Sequence, residues 1–113
     1  MQAWLQTAKA IDATTDVSAA TLAEVTDGSS RDAKIRRVCK AVRIEPVSEA
    51  IGYSAGNLRA SAVASRNKPR DLTIDAIVAA TSIHCPQPAV ELTSDSPDFR
   101  LLLAGTKITT TRV

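Results

Sequence analysis

The stretch Leu72–Phe99 limits the possible folds most, because it joins the most apolar helical segment of the chain to a short strand and an acidic turn. It reads LTIDAIVAATSIHCPQPAVELTSDSPDF. Apolar side chains point in all directions from a helix predicted over 74–83, and such a helix is buried on most sides. Pro86 and Pro88 end this helix, and Ala89–Thr93 is predicted to be a strand. The rest of the chain must therefore supply layers that cover this unit.

Helices and strands are predicted to alternate along the remaining sequence. Helices are predicted over 2–12, 30–41, 48–65 and 99–103, and strands over 16–19, 43–47 and 107–113. Ser48 and Thr73 are predicted N-caps, and Thr21 with Glu24 matches a capping box. Gly52 and Gly56, four residues apart, would permit close packing against a neighbour. Such alternation favours an α/β fold with a mostly parallel sheet, and the 113 residues suggest a single domain spanning 1–113.

The composition is that of a soluble globular protein, with 44% hydrophobic and 23% charged residues. No apolar run approaches the ~20 residues that a membrane-spanning helix needs. The N-terminal residues lack the basic and apolar regions of a signal peptide. Cys39 and Cys85 are too few for a disulfide framework. Together these features predict a cytoplasmic protein without a membrane partner.

Basic residues are concentrated between positions 31 and 43, where six basic residues accompany one acid. The six are Arg31, Lys34, Arg36, Arg37, Lys40 and Arg43. One interpretation is an ordinary solvated helix face. The other is a surface that contacts phosphates, in which Arg36, Arg37, Lys40 and Arg43 bind an RNA backbone.

Four acidic residues are predicted near helix starts, namely Glu24, Asp75, Asp95 and Asp98. In parallel α/β sheets such positions gather beyond the carboxyl ends of the strands, where ligands bind. Carboxylates gathered there would repel one another unless a cation such as Mg²⁺ or Mn²⁺ joined them. The alternative is that these acids only cap helices and interact with helix dipoles. Spacing alone leaves both interpretations open.

Four segments resemble the PIN-domain family of the toxin-like, VapC-like kind, and they occur in the family's order. TIDAIVAAT at 73–81 and ELTSDSPDF at 91–99 resemble its C-terminal half. VSAATLAEV at 17–25 and IEPVSEAIGYSAGNL at 44–58 resemble two of its strand-and-helix segments. The resemblance runs over residues 15–113. It implies a PIN-like three-layer sandwich with a small, mostly parallel sheet.

The resemblance also implies a function, that of a metal-dependent endoribonuclease of toxin–antitoxin systems using Mg²⁺ or Mn²⁺. The implied partners are an RNA substrate, an antitoxin protein and a second copy of the chain. The matching positions are Glu24, Asp75 and Asp95 as catalytic metal ligands, Asp98 as an auxiliary acid, and Thr93 and Ser94 as supporting polar residues.

One family feature has no counterpart in this chain. PIN domains begin with a strand whose Asp is a central metal ligand, and no residue here matches it. The resemblance leaves two explanations open, a start upstream of Met1 or a trimmed relative of the family. Either way, we expect weak or no nuclease activity from the 113 residues alone. The alternative function is a non-catalytic PIN-like binding module that pairs with an antitoxin-like helix or with itself.

Overall fold

The computed structural model describes residues 14–64, 71–93 and 96–113, which form a mixed α/β structure. The helices of this part are α1 (Ala19–Val25), α2 (Asp32–Cys39), α3 (Glu49–Ala64), α4 (Thr73–His84) and α5 (Ser96–Leu102), and its strands are β1 (Asp16–Ser18), β2 (Arg43–Glu45), β3 (Val90–Thr93) and β4 (Thr109–Arg112). The predicted alternation of strands and helices is confirmed. The helix predicted over 2–12 lies outside the described residues.

Both strand pairs are parallel, as the intervening helices predict. β1 pairs with β2, with Val17 opposite Ile44, and β3 pairs with β4, with Glu91 opposite Thr110. Among the described residues the strands form two separate two-stranded sheets. The chain divides into two compact units, Met1–Pro46 and Val47–Val113. The single PIN-like sheet and the single domain stay predictions.

In the first unit, α1 begins directly after β1 because Ser18 is its N-cap. The Ala20 N–H donates to Ser18 Oγ at 3.2 Å. Thr21 lies inside the helix, so the predicted capping box of Thr21 and Glu24 is wrong. Ser18, the last residue of β1, already provides the hydroxyl that accepts an N–H at the start of α1, so Thr21 is not the cap.

The loop between α1 and α2 is organised by Asp32, the first residue of α2. Its carboxylate accepts the N–H of Asp27 at 3.2 Å and that of Gly28 at 2.9 Å. Gly28 has a φ of 81°, which costs glycine little. Arg31 forms an ion pair with Asp27 at 3.2 Å, and both side chains are exposed. The buried Asp32 is therefore a structural residue of this loop.

The first unit buries little apolar surface. In its described residues, 14–46, only the polar residues Ser18 and Asp32 are buried. Val25, Val38 and Ile44 are exposed. The apolar side of α2 therefore contributes little to a core within residues 14–46.

The second unit contains the hydrophobic core. Its core residues come from α3, α4, α5 and the segments next to them: Ile51, Ala55, Ala62, Leu72, Ala76, Ala79, Ala80, Phe99, Leu102 and Leu103. The predicted apolar face of α3 is confirmed, because Ile51, Ala55 and Ala62 are buried. The buried apolar residues of α4 are all alanines, which permit close packing of its neighbours.

Gly52 and Gly56 do not take part in this packing. Both are exposed, and a Cβ built at either position would meet no heavy atom within 4 Å. The prediction that these glycines permit close packing is therefore wrong within this chain. Their place on the solvent side follows from the burial of Ile51 and Ala55 on the other side of α3.

Side chains before and after α4 hold its two ends. Asp71 Oδ1 accepts the N–H of Thr73 at 3.0 Å and its hydroxyl proton at 2.6 Å, so the predicted N-cap at Thr73 is wrong. At the end of α4, the Gln87 amide donates to the carbonyls of Ser82 and Cys85 at 3.0 and 2.9 Å.

The predicted cap of α3 is confirmed. Ser48 Oγ accepts the Ile51 N–H at 3.2 Å.

Candidate functional site

In the second unit, residues 85–89 connect the end of α4 to the start of β3. Gln87 in this connection donates to the Ser82 carbonyl near the end of α4. The carboxyl end of β3 leads to α5. In parallel α/β structures the carboxyl ends of the strands are where ligands bind.

Two of the candidate acids lie in first helical turns of the second unit. Asp75 lies in the first turn of α4 and is half-buried. Asp98 lies in the first turn of α5, which follows the carboxyl end of β3, and only 4% of its surface is exposed. Thr93 ends β3, and its carbonyl accepts the Val113 N–H at 3.0 Å. Asp95 and Ser94 lie outside the described residues.

A polar network joins α3 to the start of α4. The Arg59 guanidinium donates to Thr73 Oγ1 at 3.0 Å, and that hydroxyl in turn donates to Asp71. The pKa of Asp71 is lowered mainly by its hydrogen bonds with Thr73, with a further contribution from the Arg59 charge. Asp71 therefore accepts the first N–H of α4, so that amide does not need Asp75 as its acceptor.

Glu24 lies in the first unit, in the last turn of α1, and is exposed. The first turn of α1 contains no acid. A carboxylate near the C-terminal end of a helix interacts unfavourably with the helix dipole. Helix capping therefore does not explain the position of Glu24.

The candidate RNA-binding residues differ in what surrounds them. Arg36 and Arg37 in the last turn of α2, and Lys40 after it, are exposed. The fourth candidate, Arg43 in β2, is also exposed, but its Nε lies 3.4 Å from Asp16 Oδ1 and its Nη2 lies 3.5 Å from Glu45 Oε1.

Asp16 Oδ1 is buried and has no hydrogen-bond partner among the residues that the structure describes, so the nearby charge of Arg43 compensates it only electrostatically. This ion pair joins β1 to β2, whose residues Asp16 and Arg43 are paired in the sheet. Arg43 is therefore less available to a phosphate than the α2 residues.

Glu91 is a buried acid that the sequence interpretation did not select. Burial raises the pKa of Glu91 from 4.5 to about 7, and this value already includes a smaller, opposite effect of the hydrogen bond with Ser82. The sequence signal was the alternation of side chains in β3, which puts Glu91 on one face of the strand and Val90 and Leu92 on the other. The sequence does not say which of the two faces is buried. In the structure Val90 is exposed and Glu91 is buried.

In residues 14–64, 71–93 and 96–113, no three His, Cys, Asp or Glu side chains come together as a metal site. No helix in the described part of the chain has the length and hydropathy required to span a membrane. Comparison of the chain with models of known protein families and with curated proteins finds no significant match.

Proposed function

We propose that this chain is a PIN-type domain of a metal-dependent endoribonuclease. The observation that supports it most is the position of Asp98, buried in the first turn of the helix that follows the carboxyl end of β3. In α/β folds ligands bind beyond the carboxyl ends of the strands, and the resemblance puts metal-binding acids there, Asp75 in the first turn of α4 among them. Glu24 adds support, because capping does not account for it.

The proposed ligands suit a hard cation. The resemblance implies Glu24, Asp75 and Asp95 as ligands, and carboxylate oxygens are the donors that Mg²⁺ and Mn²⁺ prefer. Such a cation would lower the pKa of bound water and neutralise charge on a phosphodiester. In the same resemblance Asp98 would be the auxiliary acid, and Thr93 with Ser94 would support the site.

In this proposal the basic residues after Asp32 would bind the RNA backbone. Arg36, Arg37 and Lys40 are exposed and would supply the charges that phosphates attract. Because Arg43 is engaged by two carboxylates, its contribution to RNA binding is the smallest of the four. No residue of this chain matches the first-strand Asp of the family, so the chain by itself has weak or no nuclease activity.

Calorimetric titration with Mn²⁺ tests the metal site. We expect Asp75→Asn to weaken Mn²⁺ binding at least ~10-fold, because it removes a charged oxygen ligand. Glu49→Gln is the matched control, since Glu49 is also an acid in a first helical turn, that of α3. Equal Mn²⁺ affinity of the two variants and the unmodified chain would show that Asp75 is not a ligand.

An RNA cleavage assay tests the expected activity. With Mg²⁺ or Mn²⁺ present, the chain should leave a single-stranded RNA essentially intact over hours. Cleavage that depends on the metal and disappears in Asp75→Asn would contradict the expected inactivity, while supporting the proposed chemistry.

The alternative function is a non-catalytic binding module that pairs with an antitoxin-like partner or a second copy. The exposed positions of Val25, Val38 and Ile44 in the first unit favour it. For self-pairing, Ile44→Ser should lower the apparent mass in light scattering, whereas Val90→Ser in the second unit should leave it unchanged. Asp75→Asn should likewise leave it unchanged. A chain that is monomeric at all concentrations contradicts self-pairing.

A further inference from the structure

A small cavity opens at the end of α4, in the second unit. Its volume is about 190 Å³. The described residues that line it are Ile83, Gln87, Thr106, Lys107 and Ile108. They come from the end of α4 and from the connections that lead into β3 and β4. Because β3 and β4 are parallel, both connections enter at the amino ends of the strands, so the cavity lies away from the carboxyl end of β3.

The apolar part of the cavity wall belongs to the core of the second unit. Ile83 and Ile108 are partly buried and pack against the core residues. An aliphatic group placed against these side chains would be removed from water, which is favourable in proportion to the apolar area covered. Sites for drug-sized ligands measure about 300–1,000 Å³. The cavity therefore suits a smaller molecule with an aliphatic part.

The two neutral polar side chains of the wall are already bonded to the backbone. Gln87 Nε2 donates to three carbonyls in residues 82–85, at 2.9–3.3 Å, and these bonds use both of its protons. Thr106 donates its hydroxyl proton to the Leu103 carbonyl at 2.6 Å and accepts the Ile108 N–H at 3.3 Å. These bonds hold the wall in place and leave neither side chain a proton for a ligand.

The charge of the wall is positive. The segments 82–90 and 99–113, which supply its residues, contain no aspartate or glutamate. Their basic residues are His84, Arg100, Lys107 and Arg112. The Lys107 side chain is exposed, and no ion pair engages it in the described part of the chain. Its ammonium group has three protons to donate, so an anionic head group is attracted here without a repelling carboxylate from these segments.

We propose that this cavity binds a short aliphatic carboxylate, whose apolar chain packs against Ile83 and Ile108 and whose head group pairs with Lys107. The two isoleucines account for the aliphatic chain, and the ammonium group accounts for the negative charge. The volume is too small for a nucleotide. This site is also independent of the proposed metal site, because none of its residues is a proposed metal ligand.

Methyl-detected NMR of the full chain tests this site, with acetate, butanoate and hexanoate as probes. Butanoate should shift the methyl signals of Ile83 and Ile108 and leave those of Ile74, in the first turn of α4, unchanged. Affinity should rise about fourfold for each buried methylene, so butanoate should bind about 15-fold more tightly than acetate. The gain should stop at the chain length that fills the cavity. Butan-1-ol, which has no charge, should bind more weakly than butanoate.

Lys107→Gln tests the role of the charge. This variant should bind butanoate about 3–5-fold more weakly, the range for an exposed ion pair, and should bind butan-1-ol as the unmodified chain does. Arg112→Gln removes one charge from the end of β4 and is the matched control, which should keep both affinities. Equal binding of the alcohol and the carboxylate, or equal weakening in the two variants, would overturn the proposal. So would Ile83 and Ile108 signals that no carboxylate shifts, or that inorganic phosphate shifts equally.

Discussion

Replacing Gly52 or Gly56 by alanine should stabilise the chain. Both glycines lie within α3, where glycine is less favourable than alanine by about 0.8–1 kcal/mol. An added Cβ at either position meets no heavy atom within 4 Å, so no steric cost opposes this gain. The gain arises mainly because alanine restricts the unfolded chain. The double variant should therefore be more stable by about 2 kcal/mol.

Thermal unfolding followed by circular dichroism measures this effect. In a small domain, 1 kcal/mol shifts the unfolding temperature by about 4–8 °C. Each single variant should therefore raise Tm by several degrees, and the double variant by roughly twice as much. Urea unfolding should show a higher midpoint with an unchanged slope, since the exposed surface on unfolding is the same.

Gly105→Ala is the matched control. A Cβ at Gly105 also meets nothing within 4 Å, but the residue has a φ of 81°. Alanine is strained at that angle, and we expect a loss of about 1–2 kcal/mol. A lower Tm for Gly52→Ala or Gly56→Ala would refute the reasoning. If that loss grew with protein concentration, it would mean that a second chain covers this side of α3.

Two further predictions concern the loop after α1 and the core. Asp32→Asn should speed amide hydrogen exchange at Gly28, because one carboxylate oxygen that accepts a backbone N–H becomes an amide donor; the loss of such a bond costs about 1.5–3 kcal/mol. An unchanged exchange rate would mean that Asp32 does not hold the loop. Leu72→Ala should cost about 2–5 kcal/mol in urea unfolding, because Leu72 is only 1% exposed in the core. Val90→Ala at a 55% exposed position should cost less than about 0.5 kcal/mol, and comparable losses in the two variants would place the core elsewhere.

Local signals in the sequence predicted much of the fold. The Ser48 cap gave the start of α3, because an N-cap needs only a hydroxyl and an amide three residues later. The helices between successive strands predicted parallel pairing, and both pairs are parallel. What these signals did not reveal was that the described strands form two separate pairs, since pairing between strands distant in sequence depends on packing of the whole chain.

The two wrong predictions of helix caps arose where two neighbouring residues offered the same chemistry. Ser18 and Thr21 both present a hydroxyl that can cap α1, and the choice depends on where β1 ends. The pairing of Ser18 with Glu45 sets that end. Asp71 and Thr73 compete in the same way at the start of α4, where the carboxylate accepts both Thr73 protons. Side-chain chemistry alone does not decide which of two such residues caps the helix.

The candidate acids show how capping and metal binding can be separated once the helix ends are known. The first amide of α4 is bonded by Asp71, and Glu24 lies at the wrong end of α1 for a cap. If Asp75 served only the helix dipole, Asp75→Asn and Glu49→Gln would each cost about 0.3–1 kcal/mol of stability and neither would change Mn²⁺ affinity. A ligand role predicts similar small losses of stability but a loss of Mn²⁺ affinity in Asp75→Asn alone. Comparing stability and Mn²⁺ affinity in both variants thus separates two roles that the sequence left open.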